Sequence, residues 1–325
     1  MRSVLPHAIG GYMKGLELSK KFFYEYGKPM LDEFPDLLPY IAVGLVGSGS
    51  ECYGYDDELS TDHDFSPEFC IFLPDESVVD RRSAFLLERA YLKLPKEFMG
   101  YKRAIPDAVG EPRHGVIRIS DFLINKTGTM DGNLSTRDYL SIPEHYLLEV
   151  INGEIFFDNY GLITKIRENL YQFPNDVRTK KIAGNLLVMA QSGQYNYDRC
   201  IKRGETASAQ ICLFEFSKSA MNVFFLLERR YSPYYKWSFR ALREISEEYF
   251  DIACILEFLI SNENQKELVE KKKEYIDKIC CIVSQKLIEQ NLTCSRSSDM
   301  ERQAYEINDY IKDAEIRNMN ILCAI

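Results

Sequence analysis

The sequence predicts a two-part fold, an α+β domain over residues 1–160 followed by an all-α helical-bundle domain over residues 161–325. Three observations lead there. Short, apolar, β-branched runs of the kind that form buried strands occur only up to about residue 157. Long helical periodicities take over from Pro174 onward. Charge divides in the same way: residues 1–160 carry 16 Lys+Arg against 26 Asp+Glu, whereas residues 161–325 carry 24 against 23. A length of 325 residues suits two domains of roughly 100–200 residues each and needs no disulfide staples to bury a core.

The elements follow in order. Over residues 10–26, Met13, Leu16, Leu18, Phe22, Phe23 and Tyr26 recur at helical spacing, and Pro29, Pro35 and Pro39 predict a link after them. Residues 40–46, Tyr-Ile-Ala-Val-Gly-Leu-Val, read as a buried strand that runs into Gly47-Ser48-Gly49-Ser50. Residues 62–74 read as a second strand, with Phe65, Phe69, Ile71 and Leu73 apolar and Pro67 marking a bulge or an edge. A helix is expected over 78–94, then a strand over 114–119, then Asp121 and a further helix. Pro143 opens a helix through Val150, and residues 153–157 read as a last strand or hairpin arm. Helices are expected at about 175–202, 205–231, 236–262, 265–292 and 297–318, with the domain boundary near residues 158–174.

Composition excludes several classes. Apolar residues make up 46% of the chain, charged residues 27%, and mean hydropathy is -0.27. No apolar run approaches the ~18 residues a membrane span needs. Met1 is followed by Arg2, then Gly10-Gly11 and a charged helix, so neither a secretory leader nor membrane insertion is expected and a cytoplasmic location is. The nine cysteines contain no C-x-x-C pair, which excludes a zinc ribbon or a thioredoxin-type motif; most of these thiols are expected to be buried as small apolar groups. The four histidines, His7, His63, His114 and His145, all lie in the first half, so the helical half has no histidine chemistry. Lys271–Lys273 are expected on a solvated helix face.

No Lys or Arg occurs between Lys28 and Arg81, while that stretch holds Glu51, Asp56, Asp57, Glu58, Asp62, Asp64, Glu68, Asp75, Glu76 and Asp80. Duplex nucleic acid, bound by releasing counterions to a broad basic surface, is not an expected partner. Two carboxylates on one face of a strand, Asp62 and Asp64, repel when both are ionised and suit Mg²⁺ or Mn²⁺, held by oxygen ligands together with substrate phosphates. The Gly-Ser turn before them can offer backbone N–H groups to phosphate oxygens. A phosphate cradle one loop from a metal-binding acid pair is what nucleotidyl transfer requires. Asp56, Asp57 and Glu58 read as a solvated, capped loop.

This stretch, Gly47-Ser-Gly-Ser-Glu-Cys-Tyr-Gly-Tyr-Asp-Asp-Glu-Leu-Ser-Thr-Asp-His-Asp-Phe65, resembles the polymerase-β-type nucleotidyltransferase superfamily: a Gly-Ser after a strand, then D-x-D. Together with Phe225-Leu-Leu-Glu-Arg-Arg-Tyr-Ser-Pro-Tyr-Tyr-Lys-Trp237, it is similar to an uncharacterised bacterial family of nucleotidyltransferase-like proteins known only as a domain of unknown function, over most of the chain. The resemblance implies a small mixed sheet with flanking helices and a helical domain that binds the acceptor. It implies a Mg²⁺-dependent transferase moving a nucleoside monophosphate from an NTP to a hydroxyl on a small molecule, a protein or an RNA end. Asp62 and Asp64 would hold metal, and Gly47, Ser48, Gly49 and Ser50 would hold phosphates. The superfamily's third carboxylate has no counterpart on residues 115–119, where Arg118 stands; Asp107 and Asp121 are the neighbouring acids. The alternative is a degenerate member acting as a nucleotide sensor or partner-binding module.

In the helical half, Arg203, with Arg199 and Lys202, is a candidate for triphosphate contacts, or else complements a helix C-terminus. Lys236-Trp237, with Tyr231, Tyr234 and Tyr235, is a candidate wall for a base or acceptor, or else a helix junction with Trp237 in the core. The His63-Asp64 doublet of metal phosphohydrolases would need further ligands on other helices. An Arg-x(4–6)-His ribonuclease motif is excluded by the absence of histidine after residue 145.

Overall fold

A computed structural model describes residues 13–62, 65–103, 114–171 and 173–325. The described residues divide by their packing into two units, one within Met1–Leu134 and Tyr146–Gln172, the other within Ser135–His145 and Phe173–Ile325. The first is mixed α and β; the second has helices joined by loops and, among its described residues, no strand. Residues 135–145 thus group with the helical unit although they precede the last strand.

In the first unit the strands are β1 (Ala42–Leu45), β2 (Cys70–Leu73), β3 (Glu97–Phe98), β4 (Tyr101–Lys102), β5 (Gly115–Arg118) and β6 (Glu154–Asp158). Four of them form a mixed sheet in the order β5-β2-β1-β6, with β1 antiparallel to β2 and β6 and β5 parallel to β2. β3 and β4 form a separate two-stranded hairpin. The helices are α1 (Gly15–Phe22), α2 (Lys28–Asp32), α3 (Ser50–Tyr53), α4 (Arg81–Leu92), α5 (Ile119–Thr127), then α6 (Thr136–Ser141) of the second unit, α7 (Glu144–Ile151) and α8 (Leu162–Tyr171).

Every residue of β1 and β2 is buried, which matches their continuous apolar sequence, because both faces of the sheet are covered. Val43, Ile71 and Leu73 join Leu18, Phe22 and Phe23 of α1 and its continuation, with Leu87 and Tyr91 of α4, in one core. Phe72, alternating with them, turns the other way and meets Phe122 of α5 edge-on, 5.4 Å between ring centroids.

Two expectations change here. Pro29 does not end the first helix: a widened turn over Phe23–Gly27 leads straight into α2, where Pro29 sits in the first turn and its missing N–H costs no intrahelical bond. The second strand is much shorter than 62–74. The Asp57 carboxylate accepts from the N–H groups of Leu59 and Ser60 and starts a 3₁₀ turn over Glu58–Asp62, and extended pairing begins only at Cys70, past Pro67.

The second unit adds α9 (Asn175–Met189), α10 (Tyr197–Lys202), α11 (Thr206–Leu227), α12 (Ser238–Arg243), α13 (Glu247–Ser261), α14 (Lys266–Glu289), α15 (Met300–Asp309) and α16 (Ala314–Asn318). A π-helical segment, Ala190–Asn196, joins α9 to α10, so the expected 175–202 helix is continuous. The expected 236–262 helix instead breaks between α12 and α13, and the 297–318 helix breaks between α15 and α16. α9 packs on α11 and α15 and carries the buried Arg178, Lys180 and Lys181. Lys180 Nζ donates to Asn308 Oδ1 at 2.8 Å and to Met319 O at 2.7 Å, so this buried ammonium fastens the C-terminal segment.

Lys272 corrects the solvated-face expectation. Successive helix residues are turned by about 100°, so three in a row cannot share one face. Lys272 is fully buried and donates to Asn262 O at 2.6 Å and Asn264 Oδ1 at 3.0 Å. The cysteine expectation also changes: all nine are free thiols, of which Cys52, Cys70 and Cys280 are buried and the other six are partly or fully exposed. Among the described residues, no helix is long and apolar enough to cross a membrane.

Candidate functional site

The sheet register brings four chain segments to one end. Gly44 lies opposite Cys70, Cys70 opposite Gly115, and Leu45 opposite Glu154. Because β1 runs against β2 and β6 while β5 runs with β2, the turn that leaves β1 meets the residues that enter β2, β5 and β6. Gly47–Ser50, Glu68, His114 and Asn152 therefore gather at the same rim, although up to about a hundred residues separate them in sequence.

The Gly-Ser turn is held by Asn152. Its Oδ1 accepts from Gly47 N–H at 2.9 Å, and its Nδ2 donates to Gly47 O at 2.7 Å. Asn152 is itself placed by Arg167 of α8, whose guanidinium donates to Val150 O, Ile151 O and Asn152 O at 2.8–3.0 Å, satisfying carbonyls at the end of α7. Burial lowers the Arg167 pKa to about 10. Gly153, at φ +61°, then donates its N–H to Cys52 O at 2.9 Å. A Cβ there would stand 2.0 Å from Leu45 O, so only glycine lets β6 enter beside β1.

Gly49 precedes α3 and has the second steric requirement. Any Cβ on it would fall 1.9 Å from Glu51 Oε1. The Glu51 side chain is thus folded back over the turn, and it is only 8% exposed. The space in front of the turn is a cavity of about 270 Å³ lined by Gly47, Ser48, Gly49 and Glu51 together with Arg118, Asp121 and Lys126. Ser50, the first residue of α3, lies beside Glu51, its Oγ 3.4 Å from Oε2. The buried Lys126 Nζ stands 2.9 Å from Glu149 Oε2. His114 and Cys70 also line the cavity.

Behind His114 lies a second, buried charge cluster. Glu68 is held by Arg103, whose Nε donates to Oε1 at 3.2 Å, and by Ser66 Oγ at 3.1 Å. Arg103 Nη1 donates to Tyr91 O and Leu94 O, Nη2 stands 3.2 Å from Glu68 Oε1, and the guanidinium lies 4.6 Å from the Tyr91 ring centroid. Burial drives the Tyr91 phenol far above its ordinary range, with Glu68 adding to the effect. His114 Nδ1 is 3.6 Å from Glu68 Oε2.

The predicted site residues are thus placed unequally. Gly47, Ser48 and Gly49 line the cavity, and Ser50 stands just behind it. Asp62 closes the 3₁₀ turn rather than lying on a strand, so the alternation that would set Asp62 and Asp64 on one face does not apply. His63, Asp64 and the Asp62 side chain lie outside the described residues. Asp56 is buried, not solvated: its Oδ2 accepts from Gly15 N–H at 2.7 Å and caps α1. In the helical unit, Arg203 is exposed at the C-terminus of α10. Lys236 is exposed over the half-buried Trp237 ring, 4.7 Å from its centroid, so Trp237 is not a core residue. Among the described residues, no group of three or more His, Cys, Asp or Glu side chains has metal-binding spacing.

Glu51, Lys126, Asn152 and the Glu68–His114 pair were not singled out as site residues by the sequence. The only local signal was Glu51, an acid immediately after the Gly-Ser turn. The others depend on strand register.

A family described as a domain of unknown function (DUF4037) matches residues 139–238. That span takes in residues 225–237 and β6, but neither the Gly-Ser turn nor Asp62 and Asp64. No curated protein and no solved structure matches the chain.

Proposed function

We propose that the α+β unit carries a Mg²⁺-dependent nucleotidyl-transfer site, which moves a nucleoside monophosphate from an NTP to a hydroxyl acceptor. One observation carries this reading: the Asn152-held Gly47–Ser50 turn opens on a cavity that it shares with a buried glutamate and with the cations Arg118 and Lys126. Asp62 follows that turn after α3 and closes the 3₁₀ turn Glu58–Asp62, and Asp64 comes two residues later in sequence.

Carboxylate oxygens support the assignment of the ion. Glu51 and Asp121 offer oxygen ligands in the cavity, of the kind a hard divalent cation takes, and Asp62 and Asp64 are the residues assigned to hold it. Bound there, Mg²⁺ would neutralise charge on the phosphates. The chain's own groups do the rest. Ser48 and the turn backbone orient the phosphates, and Arg118 and Lys126, which line the same cavity, attract them. Arg203 and Lys236 are the helical unit's candidates for nucleotide contacts, and that unit is assigned the choice of acceptor.

A second reading has its own support. β5, the strand parallel to β2, carries Arg118 and no acid. A site short of a carboxylate would bind nucleotide without transferring it, as a sensor or partner-binding module does. Incubating the protein with each α-labelled NTP, Mg²⁺ or Mn²⁺ and a cell extract separates the two: label on an acceptor supports transfer, whereas saturable NTP binding with no labelled product supports the sensor.

A further inference from the structure

We infer that His114, paired with Glu68, is the proton-accepting residue of this site and stands in for the carboxylate missing from β5. The inference rests on the transferase reading above and deepens it.

The geometry has three parts. His114 immediately precedes Gly115, the first residue of the strand on which an acid was expected, and it lines the same cavity as the Gly-Ser turn. Its Nδ1 faces Glu68 Oε2 at 3.6 Å, with both side chains largely buried. Glu68 does not move freely, because Arg103 and Ser66 hold its two oxygens, and Arg103 is anchored on two backbone carbonyls. A carboxylate fixed beside one imidazole nitrogen stabilises, through its charge, the imidazolium that forms when the other nitrogen takes a proton.

The step balances without a further reactant. The acceptor hydroxyl oxygen forms a bond to the α-phosphorus, and the bond from that phosphorus to the bridging oxygen breaks. Pyrophosphate leaves with the electron pair, and the hydroxyl proton passes to His114 Nε2. Charged and titratable groups around the ring, among the described residues, are Glu68, Arg103 and Tyr91 behind it and Glu51, Cys52, Cys70, Arg118, Asp121 and Lys126 around the cavity. Arg103 offsets part of the Glu68 charge.

The test measures pyrophosphate release against pH for the wild type, His114→Gln, His114→Gly and Glu68→Gln, with NTP affinity measured in parallel. His114→Gln is expected to lose on the order of 100-fold in kcat, as removal of a general base does, with NTP affinity unchanged and the acidic limb of the profile gone. Added imidazole should restore part of the His114→Gly rate, which it would not do for a residue that only supports the fold. Glu68→Gln should shift the acidic limb down by about one pH unit, because a negative charge beside the imidazolium is lost. Full activity and an unchanged acidic limb in His114→Gln would overturn this inference and leave the transferase reading intact. No pyrophosphate release from the wild type with any NTP would overturn the reading beneath it, and the inference with it.

Discussion

Replacing Asn152 with alanine removes both hydrogen bonds that fasten the Gly47 peptide, one accepted at 2.9 Å and one donated at 2.7 Å. Each is part-buried, so the freed N–H and C=O recover some of the loss from water. At about 0.5–1.5 kcal/mol per bond, Asn152→Ala should cost about 1–3 kcal/mol. Asn152→Asp separates the two bonds. Its oxygen still accepts from Gly47 N–H, but when ionised the second oxygen opposes Gly47 O, whereas when protonated it donates to it. Folding therefore favours the protonated carboxyl, whose pKa rises above its unfolded value of about 3.9. That contribution is fully present below the unfolded pKa and is lost as pH rises through the folded one. Urea denaturation followed by circular dichroism should show Asn152→Asp more stable than Asn152→Ala near pH 4 and no better at pH 7. Alanine and wild type within about 0.5 kcal/mol of each other, the ordinary effect of a surface change, would refute the claim that Asn152 holds the turn.

Two further outcomes follow from single contacts. Gly49→Ala leaves an ordinary backbone conformation, φ -71°, but its methyl takes the place of the Glu51 carboxylate; thermal unfolding should stay near wild type while pyrophosphate release falls at least tenfold, and retained activity would remove Glu51 from the site. Burial pushes the Lys272 pKa down to about 8, so between that pH and the unfolded value near 10.4 the unfolded chain holds a proton that the folded one has shed. Wild-type stability should accordingly rise with pH across that window relative to Lys272→Met, and a flat difference would show that Lys272 stays charged in its buried place.

The parts of this structure that were legible in sequence are those set by local pattern. β1 and β5, α4 and the helices α9, α11 and α14 follow from apolar periodicity. α6 carried a usable signal, the Ser135–Asp138 capping box in which each side chain serves the other's backbone. Pro29 misled because a widened turn absorbs it, and Lys272 because three adjacent lysines suggest solvent regardless of helical phase. Residues 62–74 looked extended because apolar residues alternate there, yet Asp57 turns the chain before them and Pro67 withholds a donor. The site itself was half visible. Gly47–Ser50 and the neighbouring acids form a local motif, but Asn152, Lys126 and the Glu68–His114 pair meet it only through sheet register, which the sequence does not encode within any short window.

The account turns on whether this cavity performs chemistry on a triphosphate. The most direct measurement is Mg²⁺-dependent pyrophosphate release from each NTP by the wild type and by Asp62→Asn with Asp64→Asn, with NTP affinity followed by calorimetry. Release by the wild type that the double variant abolishes, while its fold is retained, is the predicted result. Equal release from both proteins, or none from the wild type under any NTP, would contradict it.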